Sequence, residues 1–100
     1  MEPDYTLEFE APVWLYTGQA AWHFVTLPDE AGDQVRFVAG QRQGFGSVRV
    51  RATVGATSWT TSVFPDRKSG SFLLPVKADV RKREAISAGD RIAVSLTVNP

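Results

Sequence analysis

Five basic side chains are the strongest candidates for a binding site in this sequence. Arg49 and Arg51 lie two residues apart, so in a strand both project from the same face. Lys77, Arg81 and Lys82 crowd a predicted short helix. Guanidinium and ammonium groups bind carboxylate and phosphate oxygens, and clusters of them also bind nucleic acids. These five residues are therefore the candidate ligand-binding residues of the chain.

Residue types that build common catalytic and metal sites are scarce. His23 is the single histidine and the chain contains no cysteine, so a zinc site cannot be assembled. A serine hydrolase would use His23 as its general base, but no serine has the glycine-flanked setting of a nucleophile elbow. Glu8 and Glu10 could act as an acid and base pair, although we interpret them as solvated strand charges. We expect no enzymatic activity, no metal and no cofactor.

Charge is unevenly distributed, although the formal net charge is zero. Up to Gly40 the chain has seven acidic residues and one basic residue, and from Gln41 onward it has ten basic and four acidic residues. Either the two halves neutralise each other across neighbouring strands, or the basic half presents a patch to an anionic partner. Charges of both signs on solvent-facing surfaces usually do no more than keep a small domain soluble, so we favour neutralisation between the two halves.

Length and composition predict one domain over residues 1–100. A hydrophobic content of 43% is enough for one buried core but leaves no room for a second domain. The first residues are acidic where a secretory signal would be basic, and no apolar run approaches the roughly 18 residues of a membrane span. We therefore expect a soluble, cytoplasmic protein.

A β-hairpin between Ser47 and Phe64 is the clearest structural pattern. Apolar and polar residues alternate on both sides of Gly55-Ala56, which has the composition of a two-residue turn with glycine first. The predicted cross-strand pairs are Val54 with Thr57, Ala52 with Trp59, Val50 with Thr61, and Val48 with Val63. This register makes Trp59 a core residue and places Arg49 and Arg51 on the polar face, since a one-residue slip would reverse both faces.

Four further strands and two short helices complete the predicted elements. The strands run from Tyr5 past Pro12 to Tyr16, from Ala20 to Leu27, over Phe72–Leu74, and from Arg91 to Val98; the helices run from Asp29 to Val38 and over Lys77–Glu84. We expect Pro12 at an edge or a bulge, and the aromatic-rich strands to face the core. Short half-buried strands with few helices predict a mainly β protein, a small closed or partly closed antiparallel barrel, because closure hides the apolar face and removes the edges.

Several segments carry a resemblance to a known family. They are Trp22–Pro28, Gly46–Val50, Trp59–Pro65, Leu74–Lys77 with Val80–Lys82, and Gly89-Asp90. Across nearly the whole chain the sequence resembles the small bacterial and archaeal domains grouped as domain of unknown function 1905. The resemblance implies a double-split β-barrel, a fold also used by swapped-hairpin DNA-binding domains. It implies no activity.

These observations favour a non-enzymatic binding module for a small molecule or a protein. The alternative is a nucleic-acid-binding module that uses the basic C-terminal half, and an enzyme is the third possibility. A pocket lined by Trp14, Trp22 or Trp59 would favour the first, a continuous arginine and lysine surface the second, and buried polar groups in a cleft the third. We expect a monomer, because one chain supplies both β-rich halves of the barrel.

Overall fold

The computed structural model describes residues 4–18, 21–40 and 46–98. Within these residues the chain forms six strands and two helices. The elements are β1 (Tyr5–Leu15), β2 (His23–Thr26), α1 (Asp29–Ala39), β3 (Val48–Val54), β4 (Thr57–Pro65), β5 (Phe72–Pro75), α2 (Ala78–Glu84) and β6 (Arg91–Val98). Strand β2 is shorter than the predicted run from Ala20 to Leu27, of which Ala20 lies outside the described residues.

The strands close into an antiparallel barrel in the order β1-β2-β5-β4-β3-β6, which confirms the predicted fold. Two long strands are each shared between two sheets. Strand β1 pairs with β6 over Tyr5–Pro12 and with β2 over Val13–Leu15. Strand β4 pairs with β3 over Thr57–Val63 and with β5 at Phe64 and Pro65. Pro12 thus lies where β1 changes partner, a position that tolerates a residue without a backbone N–H.

The hairpin of β3 and β4 has the predicted register. Its pairs include Val54 with Thr57, Ala52 with Trp59, Val50 with Thr61, and Val48 with Val63. Gly55 has a φ of 59°, which glycine adopts without strain at the first position of the turn. Trp59 is only partly buried and packs against the core from its margin, so the expectation that it is a full core residue is partly wrong. The position at the barrel's margin cannot be read from the alternation alone.

Helix α1 closes the end of the barrel at which β1 begins. The hydroxyl of Tyr5 donates a hydrogen bond to the side chain of Gln34 at 2.8 Å. The guanidinium of Arg36 donates to the carbonyl of Gly70, just before β5, at 2.8 Å. Since Val35 is fully buried, the apolar side of the helix completes the core at this end.

Helix α2 closes the opposite end, at the tip of the hairpin. The carboxylate of Glu84 accepts hydrogen bonds from the hydroxyl of Thr57 at 2.6 Å and from the backbone N–H of Ala56 at 3.3 Å. A Cβ at Gly55 would displace this carboxylate, which is the flexible end of Glu84, so the positive φ is the stronger reason for glycine there. The buried side chain of Val80 anchors the other face of the helix. The hydrogen bonds between Glu84 and the hairpin therefore fix the position of α2 and of its basic residues.

A substitution at Leu96 tests the assignment of this side chain to the barrel interior. This side chain is fully buried and lies between Leu7 on β1 and Ala52 on β3. Leu96→Ala should lower the free energy of unfolding by about 2–5 kcal/mol, because it removes buried methyl groups and leaves a cavity. Thr60→Ala on the exposed face of β4 should cost less than about 1 kcal/mol. Urea unfolding of the two variants measures the difference, and equal losses would contradict the assigned interior.

Candidate functional site

Aromatic side chains cover the outside of the barrel where β1, β2, β5 and β4 meet. The ring of Phe24 lies at the centre of this cluster. It stacks on Trp22 at 5.9 Å between centroids, is tilted against Trp14 at 5.3 Å, and meets the edge of Tyr16 at 6.4 Å. Trp14 is held in place because its Nε1 donates to the hydroxyl of Thr26 at 2.9 Å. Trp14 and Phe24 are therefore positioned by β1 and β2, while Tyr16 directly follows β1 and Trp22 directly precedes β2.

Strand alternation explains why these rings face outward. In each strand the neighbouring aliphatic residue occupies the interior: Val13 in β1, Val25 in β2, Val63 in β4 and Leu74 in β5 are all almost completely buried. Successive side chains of a strand point to opposite faces, so the residues beside them must lie outside. The expectation that the aromatic-rich strands face the core is therefore wrong for Tyr16 and Trp22. Apolar residues are consecutive over 13–16, at the end of β1 and just after it, and at Phe24 and Val25 in β2, so the alternation there did not show which face is buried.

A cavity of about 380 Å³ lies on this surface. Its lining defines what we call the aromatic patch: Tyr16, Trp22, Phe24, Phe64 and Leu73. The side chain of Trp22 is 51% exposed, that of Tyr16 49% and that of Phe64 44%. Contiguous exposed apolar surface of this kind marks binding sites in folded proteins.

A second cavity, of about 270 Å³, adjoins the aromatic patch and shares Trp22 with it. His23, Lys77 and Arg81 supply its polar side chains, and we call this cavity the basic pocket. Arg81 donates a hydrogen bond from Nε to the carbonyl of Val76 at 3.1 Å. The N–H of Val76 in turn donates to the carbonyl of His23 at 3.0 Å, which ties the pocket wall to β2.

The structure brings together two of the five predicted basic residues. Lys77 and Arg81 line the basic pocket, whereas Lys82 is exposed on the same helix and is not part of its lining. Arg49 and Arg51 are exposed on β3, where they face the polar side chains of β4, and they do not line this pocket. Sequence reasoning missed the aromatic patch beside the pocket, although it named a tryptophan-lined pocket as the sign of a binding module.

Neutralisation between the two halves of the chain is limited. Among the described residues, Arg91 pairs with Glu10 at 3.3 Å and thereby joins the basic half to the acidic half. Arg36 pairs with Asp33 at 2.9 Å within the acidic half. Neither pair involves any of the five candidate basic residues, so no carboxylate of the described residues competes with an external anion for them.

Within the described residues, Nδ1 of His23 lacks the carboxylate partner found in a catalytic triad. This atom is shielded from solvent and has no hydrogen-bond partner within residues 4–18, 21–40 and 46–98. A catalytic triad requires a carboxylate at that atom to orient the imidazole. The same part of the chain contains no group of three His, Asp or Glu side chains close enough to hold a metal ion.

A hydrogen-bonded turn between β4 and β5 positions the far edge of the aromatic patch. The carboxylate of Asp66 accepts hydrogen bonds from the hydroxyl of Ser69 at 2.7 Å and from its backbone N–H at 3.1 Å. The N–H of Asp66 donates to the carbonyl of Ser71 at 2.9 Å. The hydrogen bond from the Ser69 hydroxyl stabilises the carboxylate and is the main reason that the pKa of Asp66 lies below its ordinary value. Desolvation of the carboxylate raises the pKa and partly offsets this effect.

Ser69→Ala should raise the pKa of Asp66 toward its ordinary value. A carboxylate whose pKa is lower in the folded than in the unfolded chain stabilises the fold above the unfolded pKa, and this contribution is lost as the pH falls through the folded pKa. The variant should therefore lose less stability on acidification below about pH 4. NMR titration of the Asp66 carboxyl measures the pKa, with Ser62→Ala on β4 as the control. An unchanged pKa in Ser69→Ala would contradict the role given to the hydroxyl.

Fold and surface together define a small closed β-barrel that presents an aromatic patch beside a basic pocket. Residues 9–96 match the model of the family described as Domain of unknown function (DUF1905), so the chain belongs to this family, as its sequence resemblance indicated. A search of curated proteins found no match to the chain. None of the helices in the described ranges has both the length and the apolar character needed to cross a membrane.

Proposed function

We propose that the chain is a non-enzymatic binding module that holds a small molecule or a protein on the aromatic patch. The observation that carries this proposal is the cavity of about 380 Å³ between exposed aromatic rings. Its volume lies within the range of about 300–1,000 Å³ typical of ligand pockets. Trp22 lines this cavity, and a tryptophan-lined pocket is the feature that the sequence analysis named as favouring a binding module.

Hydrogen bonds hold the backbone that carries rings of the aromatic patch. The N–H of Tyr16 donates to the carbonyl of Trp22 at 2.7 Å, so the backbone that carries both rings is held by a hydrogen bond. Phe24 lies within the three-residue pairing of β1 with β2. Because the backbone is already ordered, it loses no conformational entropy when a ligand binds, which favours affinity. A flat ring placed on Trp22 would extend the stack that Trp22 already forms with Phe24.

The proposal includes the cytoplasmic location and the monomeric state expected from the sequence. Closure of all six strands within one chain supports a monomer, because no strand needs a partner chain to complete the barrel. The proposal assigns the patch to binding alone.

N-Phenyl-1-naphthylamine, an uncharged dye that fluoresces in apolar surroundings, tests the aromatic patch. We expect it to bind the native chain, and Phe64→Ala to weaken binding about fivefold because an aromatic contact is worth roughly 1 kcal/mol. Phe37→Ala is the matched control, since Phe37 is 88% exposed on α1 and lies outside the patch. Circular dichroism verifies that both variants fold. Absence of binding, or an equal effect of the two variants, would overturn the proposal.

Nucleic-acid binding is the second candidate function, and one observation favours it. Arg49 and Arg51 project from β3 opposite Ser62 and Thr60, and no carboxylate pairs with them among the described residues. Two arginines neutralise few phosphates, however, so little counterion release drives the binding and the affinity for nucleic acid is low.

We therefore expect only weak binding of a fluorescently labelled DNA duplex at about 150 mM salt. Fluorescence anisotropy measures it, with a double variant carrying Arg49→Ala and Arg51→Ala as the comparison. A submicromolar and sequence-dependent signal that this double variant abolishes would make nucleic-acid binding the function of the chain.

A further inference from the structure

We infer that the ligand of the aromatic patch is an aromatic acid, a small molecule whose ring lies on the patch and whose anionic group enters the basic pocket. This inference rests on the proposed binding function and adds the chemical class of the ligand. The two cavities are adjacent, because Trp22 lines both. One is lined by apolar side chains, and the other contains Lys77 and Arg81.

The cations of the basic pocket are available to an anion from outside. Arg36 and Arg91 each have a carboxylate partner, whereas neither Lys77 nor Arg81 forms an ion pair within the described ranges. No acidic residue lines the pocket. Asp79, the nearest acid along the chain, instead accepts a hydrogen bond from the N–H of Val80 at 3.0 Å.

Arg81 is oriented before any ligand binds. Its side chain is partly buried, and the hydrogen bond from its Nε to the carbonyl of Val76 fixes the plane of the guanidinium. That bond leaves the two terminal nitrogens to bind a carboxylate, and charged hydrogen bonds of this kind are about twice as strong as neutral ones. A partly desolvated guanidinium without a counterion gains more from an anionic ligand than an exposed one does.

His23 supplies the third polar group of the basic pocket. Its shielded Nδ1 has no hydrogen-bond partner in the part of the chain that the structure describes. The shielded atom does not face a ligand, so His23 contributes to the polar lining of the pocket and the preference for a negative charge comes from Lys77 and Arg81.

The size of the surface favours a small molecule over a macromolecule. The two cavities measure about 380 Å³ and about 270 Å³, which together suit one or two fused rings with an acidic substituent. Nucleic acids instead need a groove of many cations that follows the phosphate backbone. Only two cationic side chains line the basic pocket.

A matched pair of competitors tests the inference. 1-Naphthaleneacetate carries a carboxylate, and 1-naphthaleneacetamide replaces it with an uncharged amide of nearly the same shape. Both are titrated against N-phenyl-1-naphthylamine bound to the native chain. We expect the acid to displace the dye about tenfold more effectively than the amide, and this preference to fall as salt is raised.

Substitutions on α2 and just before it locate the anion. Lys77→Gln, at an exposed residue without an ion pair among the described residues, should reduce the preference for the acid about threefold, and the double variant with Arg81→Gln should abolish it. Displacement by the amide should be unchanged in both. Lys82→Gln is the control, because it removes the same charge from the same helix outside the pocket. If the double variant fails to fold, Lys77→Gln alone decides the test.

Each failure has its own signature. If the dye does not bind, the proposed function fails and the inference fails with it. If the dye binds but acid and amide compete equally, or neither competes, the patch binds a ligand of another class and only the inference is overturned. An equal effect of Lys82→Gln and Lys77→Gln would also overturn it, since a general surface charge would then explain the preference. If an oligothymidine at stoichiometric concentration displaced the dye, the inferred ligand would be single-stranded nucleic acid and not an aromatic acid.

Discussion

Burial of one aliphatic side of every strand inside the closed barrel is the constraint on which the rest of this structure depends. Valine, leucine and alanine fill the interior, and the fully buried side chains include Val25, Leu74 and Leu96. Because a strand has only two faces, the aromatic residues of β1 and β2 that alternate with this interior set lie on the surface. The exposed rings follow directly from an interior filled by small aliphatic side chains.

Sharing of β1 and β4 between the two sheets determines where that surface forms. Each strand leaves one partner and joins another, so the second half of β1 lies beside β2 and the end of β4 lies beside β5. Phe24 of β2, Phe64 of β4 and Leu73 of β5 thereby meet on one outer face, together with Tyr16 just after β1 and Trp22 just before β2.

Helix α2 connects the stability of the barrel to the chemistry of its surface. Glu84 at its end is bound to the hairpin turn, and the segment before it is bound to β2 through Val76. These two attachments hold Lys77 and Arg81 next to Trp22, where a cationic group and an aromatic ring can contact the same ligand. The short helix therefore both covers one end of the barrel and forms one wall of the basic pocket.

Local pattern was sufficient for the strands, the helices and the hairpin register, because period-two alternation and a glycine-first turn act over neighbouring residues. Lys77 and Arg81 were likewise identified as candidates, since their charge and spacing are visible in the chain. The aromatic patch was not identified, because apolar residues are consecutive over 13–16 and at Phe24 and Val25, and only the closed barrel decides which of them are buried. Tertiary structure also decided that Lys77 and Arg81 lie together beside Trp22 while Lys82, Arg49 and Arg51 lie outside that pocket, since strand order and helix docking, not sequence distance, determine which side chains meet.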